Sequence, residues 1–409
     1  MRYRVSKNDK VLKGEITLEG SKSITNRVLI IKALCEDFFE IKNFSKSDDS
    51  ETLFELINSH DKVLNAKDGG TTFRFLSAFL TVHEGEVILT GSDRLIDRPI
   101  GPLIDALQQL GANIQYLGKV GYPPILINGK AVQQNRVEVD ASRSSQFVSA
   151  LLLIAPILKQ GLVIKLKGDI VSASYIQMTL NVMKHFGVHY SWGQNMISIS
   201  HQPYAARDFR VEADWSAASY YYAMAAMSDE VDLKLYGLHK MSMQGDAVIT
   251  KIMQEFGVMT TYIENGVHLY KNGNNGTRFM YDFLDCPDIA QTLLACCAGL
   301  NMSASISGIS NLQIKETNRI QAMSQELAKL NYDFKKENEE WVLNSDSSMP
   351  LPNDLAFDTY QDHRMAMALT PLAITYKNVI INDPGVVSKS YPSFWDDIKS
   401  LGFQIEELS

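Results

Sequence analysis

Cysteine is scarce and never spaced C-x-x-C: Cys35, Cys286, Cys296 and Cys297 are the only four in 409 residues. This argues against a disulfide-stapled scaffold and a dithiol redox motif, and it fits a reducing, cytoplasmic setting. Cys296 and Cys297 adjoin within an apolar run, where packing explains them. Long apolar runs are also lacking. The longest, Val148 to Leu158, contains Pro156, and it falls well short of the ~20 residues that span a bilayer. Met1 to Lys13 is polar and charged, unlike a signal core. No His, Cys and Asp cluster has metal-ligand spacing. Neither a G-x-S-x-G elbow nor a Cys-His signature occurs. An excess of positive charge is missing too. The net charge of −8 argues against nucleic acid or an anionic membrane as partner, since basic patches hold both. Any anion must be met by local clusters of Lys and Arg.

What is present is a repeat. An amphipathic helix ends in Gly, then a strand, a polar turn and another strand follow. The clearest copies are Ile100 to Gly118, Tyr175 to Ile199 and Asp246 to Tyr270, with two more beginning at Asn318 and Phe394. In the second copy Ile176, Leu180, Met183 and Phe186 share one helical face. The helix-end residues are Gly111, Gly187, Gly257, Asn331 and Gly402, at intervals of about 70 to 76 residues, which allows roughly six units. Asn331 suits a position of this kind because Asn tolerates left-handed dihedrals. Between Asp49 and Asp68 a helix plus two strands hardly fits, so the first unit is expected to be abbreviated.

Several segments place cations and hydroxyls where apolar periodicity breaks, mostly at helix starts. Gly20-Ser21-Lys22-Ser23-Ile24-Thr25-Asn26-Arg27 joins a flexible start, a cation and exposed amides at a helix amino terminus, the makings of an anion site. It lacks the spacing of a nucleotide P-loop, and an N-capped surface helix would account for the same residues. Asp68-Gly69-Gly70-Thr71-Thr72-Phe73-Arg74 lets backbone approach a ligand closely, or is a plain glycine turn. Arg98 precedes a Pro at a helix start. Ser144-Ser145-Gln146, and then Ser172 and Tyr175, open two further helices; capping explains one serine of the first set. Lys315, Glu316 and Arg319 lie three and four apart, as an ion-paired helix face also would. Asp362-His363-Arg364 precedes an apolar helix that Asp362 can cap, and Lys389 lies in a late loop. An acidic protein that concentrates cations in this way is suited to substrates with several negative charges. The residues by themselves point to a transferase or lyase acting on phosphorylated or carboxylated small molecules, and no further.

At these segments the chain resembles the 5-enolpyruvylshikimate-3-phosphate synthase family. GSKSITNR, GGTTFR, DRPIGPLIDAL, SSQF, SYIQMTL, VEADWSAASYY, PDIAQT, KETNRI, DHRMAMAL and DPGVVSKSYP match family signatures in order, nearly end to end. The resemblance implies an α/β (α+β) fold of two similar domains, each of three βαβαββ repeats, an inside-out α/β barrel with the active-site cleft between the domains. Residues 20–212 would form the N-terminal domain, its first repeat abbreviated, and 1–19 plus 213–409 the C-terminal domain. Hinges near Leu18–Gly20 and Val211–Asp214 would let the cleft close.

The implied reaction moves the enolpyruvyl group of phosphoenolpyruvate to the 5-hydroxyl of shikimate 3-phosphate, by addition and elimination. It needs no cofactor and no metal, and it serves chorismate and aromatic amino acid biosynthesis. A cytoplasmic monomer with no nucleic-acid or membrane partner is expected. By motif, Asp288 would be the base for the hydroxyl, and Glu316 the proton donor to the enol carbon, with Lys22 as alternative. Shikimate 3-phosphate would be held by Lys22, Ser23, Arg27, Ser144, Ser145, Gln146, Ser172, Tyr175, Asp288, Asn311 and Lys315. Phosphoenolpyruvate would be held by Lys22, Gly70, Arg98, Gln146, Arg319, Arg364 and Lys389. Because Gly70 is retained, glyphosate is expected to compete with phosphoenolpyruvate.

Three positions depart from the family pattern: Asp68 and Gln361 stand where Asn is usual, and Phe75 where Pro is common. Asp68 is expected to pair with Arg74 or Arg98, or else to weaken phosphoenolpyruvate binding. Two rivals remain: a UDP-N-acetylglucosamine enolpyruvyl transferase and a non-catalytic metabolite-binding homologue. The former usually carries a Cys where Ala112 to Val132 has none. The latter is disfavoured by the presence of Asp288, Glu316 and the motif cations.

Overall fold

The computed structural model describes residues 1–130, 132–273, 276–345, 351–352 and 354–408. The chain divides into two compact units, 20–211 and 1–19 with 212–409.

In the 20–211 unit two four-stranded sheets share one plan. The first sets Val63–Asn65, Gly85–Thr90, Ile125–Gly129 and Asn113–Tyr116 side by side in that order. Its first pairing is parallel and the other two are antiparallel. The second sheet repeats this with Arg136–Asp140, Leu162–Lys167, Met196–Ile199 and Tyr190–Gly193. A parallel pair needs a crossover, which helices Gly70–Thr81 and Ser145–Ile154 supply. A second helix in each repeat, Gly101–Gln109 or Ala173–His185, leads into the closing hairpin. Each repeat is therefore βαβαββ. The third sheet is only Ile41–Lys42 beside Phe209–Arg210, in parallel. Helix Asp48–Ile57 runs on to Val63–Asn65, the first strand of the next repeat, so among the described residues this repeat has no hairpin. Its first strand comes from the far end of the unit.

The other unit has three four-stranded sheets on the same plan. They are Val11–Thr17, Glu230–Tyr236, Gly266–Lys271, Val258–Ile263; then Arg278–Asp282, Ser303–Ser307, Glu340–Ser345, Tyr332–Glu337; then Leu355–Phe357, Val379–Asn382, Arg2–Ser6, Gln404–Leu408. In the last, Arg2–Ser6 takes the place that a hairpin's final strand would fill, antiparallel to both neighbours. All of 20–211 is inserted between strand Val11–Thr17 and that repeat's first helix, Trp215–Met227.

The first helix of each repeat is the inner one. Every residue of Trp215–Met227, Ala290–Gly299 and His363–Leu369 is buried, and Ser145–Ile154 is buried but for Gln146. A helix apolar all round belongs in a core, so helices fill the middle of each unit and sheets form its outside. A buried side chain such as Leu293 or Met224 contributes roughly 1.5–3 kcal/mol. Polar groups at these helix starts gain nothing of that kind and call for another explanation. The helix-end residues Gly111, Gly187, Gly257, Asn331 and Gly402 all have φ between 62° and 95°, which L-residues other than Asn rarely adopt.

One element differs from the sequence reading. Asp246 to Phe256, expected as an amphipathic helix, is a 3₁₀ turn, one α turn and another 3₁₀ turn. Val248, Ile249, Thr250 and Ile252 are β-branched and stiff at χ1, which weakens a regular helix.

Candidate active site

In the 20–211 unit the starts of three inner helices are joined by side chains. Lys22 Nζ, at the first residue of Lys22–Leu34, donates to Asp49 Oδ2 at 3.1 Å. Asp49 accepts at its carbonyl from Thr72 Oγ1 at 2.8 Å, on the second of these helices. The neighbouring Thr71 Oγ1 accepts from Gln146 Nε2 at 3.1 Å, on the third. Gly70 opens the second helix where a Cβ would lie 2.5 Å from Arg98 Nη1 and 2.6 Å from Arg74 Nη1. Arg74 is tied to Gly70 O (2.9 Å) and Pro99 O (3.1 Å), so it braces the loop. Asp68, whose pairing was open, accepts from Ser92 Oγ.

Arg27 is 2 % exposed. Its guanidinium donates to Thr179 Oγ1, Ser23 O, Ser149 Oγ and Tyr175 O. Among the described residues no carboxylate pairs with it. Burial pulls its pKa down to about 10, so it stays charged at neutral pH. A buried cation held only by neutral groups is suited to an anionic ligand. Ser144 caps the helix it precedes, accepting from Gln146 N at 3.2 Å, as its position allowed. Ser145 and Ser172 are buried. Ser172 has a left-handed backbone at φ 55°, a conformation that concentrates at functional positions. Tyr175 is half-buried one turn further on.

In the other unit four cations meet three carboxylates. Asp288 Oδ2 accepts from Arg364 Nη2 at 2.9 Å, and its Oδ1 from Arg319 Nη1 at 3.3 Å. Lys315 Nζ is 3.9 Å from the same Oδ1. Arg364 Nη1 also reaches the Asp288 carbonyl at 3.2 Å. Arg319 grips Asp362 with Nε (2.7 Å) and Nη2 (3.2 Å), and Glu316 with Nη2 (2.7 Å). Lys389 Nζ lies 3.8 Å from Glu316 Oε1. Asn311 is buried in the turn Ser310–Ile314 just before Lys315.

Burial disfavours the charge on Arg319, but Asp362, Glu316 and Asp288 outweigh it and raise its pKa. Lys315 goes the other way: the enclosing protein pulls its pKa below the usual lysine value, against the attraction of Asp288. Tyr360 and Gln361, just before Asp362, are both left-handed, at φ 53° and 54°. Gln tolerates this less readily than Asn.

Sequence reasoning missed two members. Asp49 marks only an edge of the abbreviated segment in the sequence and is no candidate there. Asp362 was read as a cap, and it does accept from Arg364 N at 2.9 Å, but the same carboxylate holds Arg319. Asp before a helix gave the cap signal; nothing local showed a partner 43 residues away. No group of three or more His, Cys, Asp or Glu suited to a metal ion occurs among the described residues. No helix among them is long and apolar enough to cross a membrane.

Buried cations at inner helix starts, on repeated βαβαββ units, define a protein that handles multiply charged small anions. Residues 6–59 and 53–398 match the model of the EPSP synthase (3-phosphoshikimate 1-carboxyvinyltransferase) family. A 3-phosphoshikimate 1-carboxyvinyltransferase of Bacteroides fragilis is 42% identical over 407 residues, covering 99% of both chains. One from Vibrio campbellii is 34% identical over 95% of this chain and 97% of its own. A solved EPSP synthase from Acinetobacter baumannii superposes with a TM-score of 0.79 over 99% of this chain and 100% of that one, at 19% identity; it shares the fold. The chain belongs to the EPSP synthase family.

Proposed function

We propose that the protein transfers the carboxyvinyl group of phosphoenolpyruvate to the 5-hydroxyl of shikimate 3-phosphate and releases phosphate. The observation that carries this reading is Asp288, a carboxylate faced by Arg319, Arg364 and Lys315. It is a candidate base set among the cations an anionic substrate needs.

In this reading the hydroxyl oxygen bonds to the enol carbon bearing the phosphate, and Asp288 accepts the hydroxyl proton. The methylene carbon takes a proton from Glu316 or Lys22. The carbon–oxygen bond to phosphate then breaks and the methyl carbon gives its proton back. Arg319 and Lys389 hold Glu316, and Arg364 holds Asp288. Phosphoenolpyruvate, bound by Arg319, Arg364, Lys389, Arg98, Gln146, Gly70 and Lys22, would draw these cations toward its own anions and loosen both carboxylates for proton transfer. Shikimate 3-phosphate would be held by Lys22, Ser23, Arg27, Ser144, Ser145, Gln146, Ser172, Tyr175, Asn311 and Lys315. Arg27, with no carboxylate of its own among the described residues, suits the shikimate carboxylate. The same reading places the reaction in the cytoplasm, carried out by a monomer without a cofactor.

The test is inorganic phosphate release. Mixing both substrates is expected to release phosphate, and either alone to release none. Release with phosphoenolpyruvate and a UDP-amino sugar would transfer the reading to the rival enzyme; binding of both substrates without release would make the chain a binder.

Gly70→Ala supplies a second check. The added methyl would press on Arg98 and on Arg74, which is tethered at two carbonyls. The KM for phosphoenolpyruvate is expected to rise about 10-fold, with that for shikimate 3-phosphate moving less than about 2-fold. Steady-state kinetics with each substrate varied would read the split; equal movement of both would contradict the placement of Gly70.

A further inference from the structure

Asp246 is a carboxylate that the proposed reaction does not use. It is 3 % exposed, in the irregular turn that replaces the expected helix. Its Oδ2 accepts from Ser216 Oγ. Its Oδ1 is buried and has no hydrogen-bond partner among the described residues. A buried carboxylate oxygen left so is destabilising, so stability alone does not explain it. Ser216 in turn accepts from Arg364 Nη2 at 3.4 Å, the same nitrogen that donates to Asp288 Oδ2 at 2.9 Å. Arg364, Ser216 and Asp246 thus form a chain of donors that ends on a buried acid. With Asp288 the four residues span three repeats: Asp246 and Ser216 on the first, Asp288 on the second, Arg364 on the third.

We propose that Asp246 is a positioning residue for Arg364, acting through Ser216, and that its negative charge, when formed, competes with the substrate anion for that guanidinium. The inference rests on the reading that Arg364 binds phosphoenolpyruvate.

The groups that face Asp246 are Asp288 and Cys286 from the loop before the second inner helix, Arg364 from the third, and Asp214 and Ser216 from the start of the first. Burial, and then the negative charge of Asp288, push the Asp246 pKa up to about 7, against the pull of Arg364 and the Ser216 hydrogen bond. Below that pH Asp246 is neutral and adds no negative charge beside Arg364, so the guanidinium is freer for an incoming anion. Above it the charge of Asp246 joins that of Asp288 near the same guanidinium. The sign follows: phosphoenolpyruvate binds less well as pH rises through about 7 for want of that proton.

Steady-state kinetics on the full chain test this. At pH 6, where Asp246 is protonated and only its positioning is lost, Asp246→Ala and Ser216→Ala are each expected to raise the KM for phosphoenolpyruvate about 10-fold, with kcat and the KM for shikimate 3-phosphate moving less than about 3-fold. The double variant should be no worse than the poorer single one, because both changes cut the same path. Additive effects, or equal effects on both substrates, overturn the proposal. Asp246→Asn preserves shape and fixes the neutral state. It is expected to flatten the rise of this KM between pH 6 and 8 relative to the unaltered protein, and it decides the matter if the alanine variants do not fold. An unchanged pH profile in Asp246→Asn overturns the proposal. Arg364→Ala separates the two levels. If it leaves the KM for phosphoenolpyruvate unmoved, the reading of Arg364 fails; if it raises that KM while the Asp246 variants do not, only the role of Asp246 fails.

Discussion

Asp288→Asn is expected to lower kcat by about 10²–10⁴-fold, the range a general base contributes, while phosphoenolpyruvate binds as well as before or better. The second half of that expectation follows from the geometry. Asp288 engages Arg364, Arg319 and Lys315. In the unliganded protein it competes with any incoming anion for those cations. Asn keeps the shape and can still accept a hydrogen bond, but it carries no charge. The competition therefore weakens, and so does the ability to take a proton. Truncation to Ala removes the hydrogen bonds as well and is expected to disturb the arginines more.

Two measurements check this. Single-turnover phosphate release isolates the chemical step, and calorimetric titration with phosphoenolpyruvate reads the binding. A fall in kcat with binding intact identifies a base. Loss of both together would mean that Asp288 chiefly holds the arginines in place. A kcat within about 3-fold of the unaltered protein would end its assignment as base.

Much of the repeat was legible because its signals are local. The glycines and Asn331 that end helices mark left-handed positions, and their spacing betrays the period. The helix starts that gather cations and serines were also visible, since a cation or serine just ahead of an apolar run breaks the pattern. What was not legible is what lies far apart in sequence. Arg2–Ser6 reads as an ordinary polar beginning, yet it pairs with Val379–Asn382 and Gln404–Leu408. Phe209–Arg210 pairs with Ile41–Lys42 in the same non-local way. Periodicity cannot reveal such partners, because each strand presents only its own alternation. Asp246 shows the limit within the site. Aspartate in a first turn is ordinary helix-dipole chemistry, and only its burial against Ser216 sets it apart.

Arg319→Ala is expected to have the largest effect on stability. Arg319 is 2 % exposed and its guanidinium holds Asp362, Glu316 and Asp288 at once. These carboxylates belong to three chain segments, so one side chain ties the second repeat of its unit to the third. Removing it takes a cation from all three: Asp288 keeps Arg364 and Lys315, and Glu316 keeps Lys389, but Asp362, wholly buried, loses the guanidinium that grips it. Breaking a buried ion pair from one side costs about 3–5 kcal/mol, which for a unit of this size lowers Tm by roughly 10 °C. Arg319→Lys keeps the charge but cannot reproduce the forked contacts, and it should fall between. The sign with pH separates this mechanism from lost packing. Buried carboxylates that have lost a cation oppose folding when ionised, so acidification from pH 8 to pH 5 should neutralise them and narrow the Tm gap between variant and unaltered protein. Lost packing alone would leave the gap constant. Differential scanning calorimetry at the two pH values distinguishes these outcomes, and a Tm within about 2 °C of the unaltered protein at both would show that the carboxylates do not depend on Arg319.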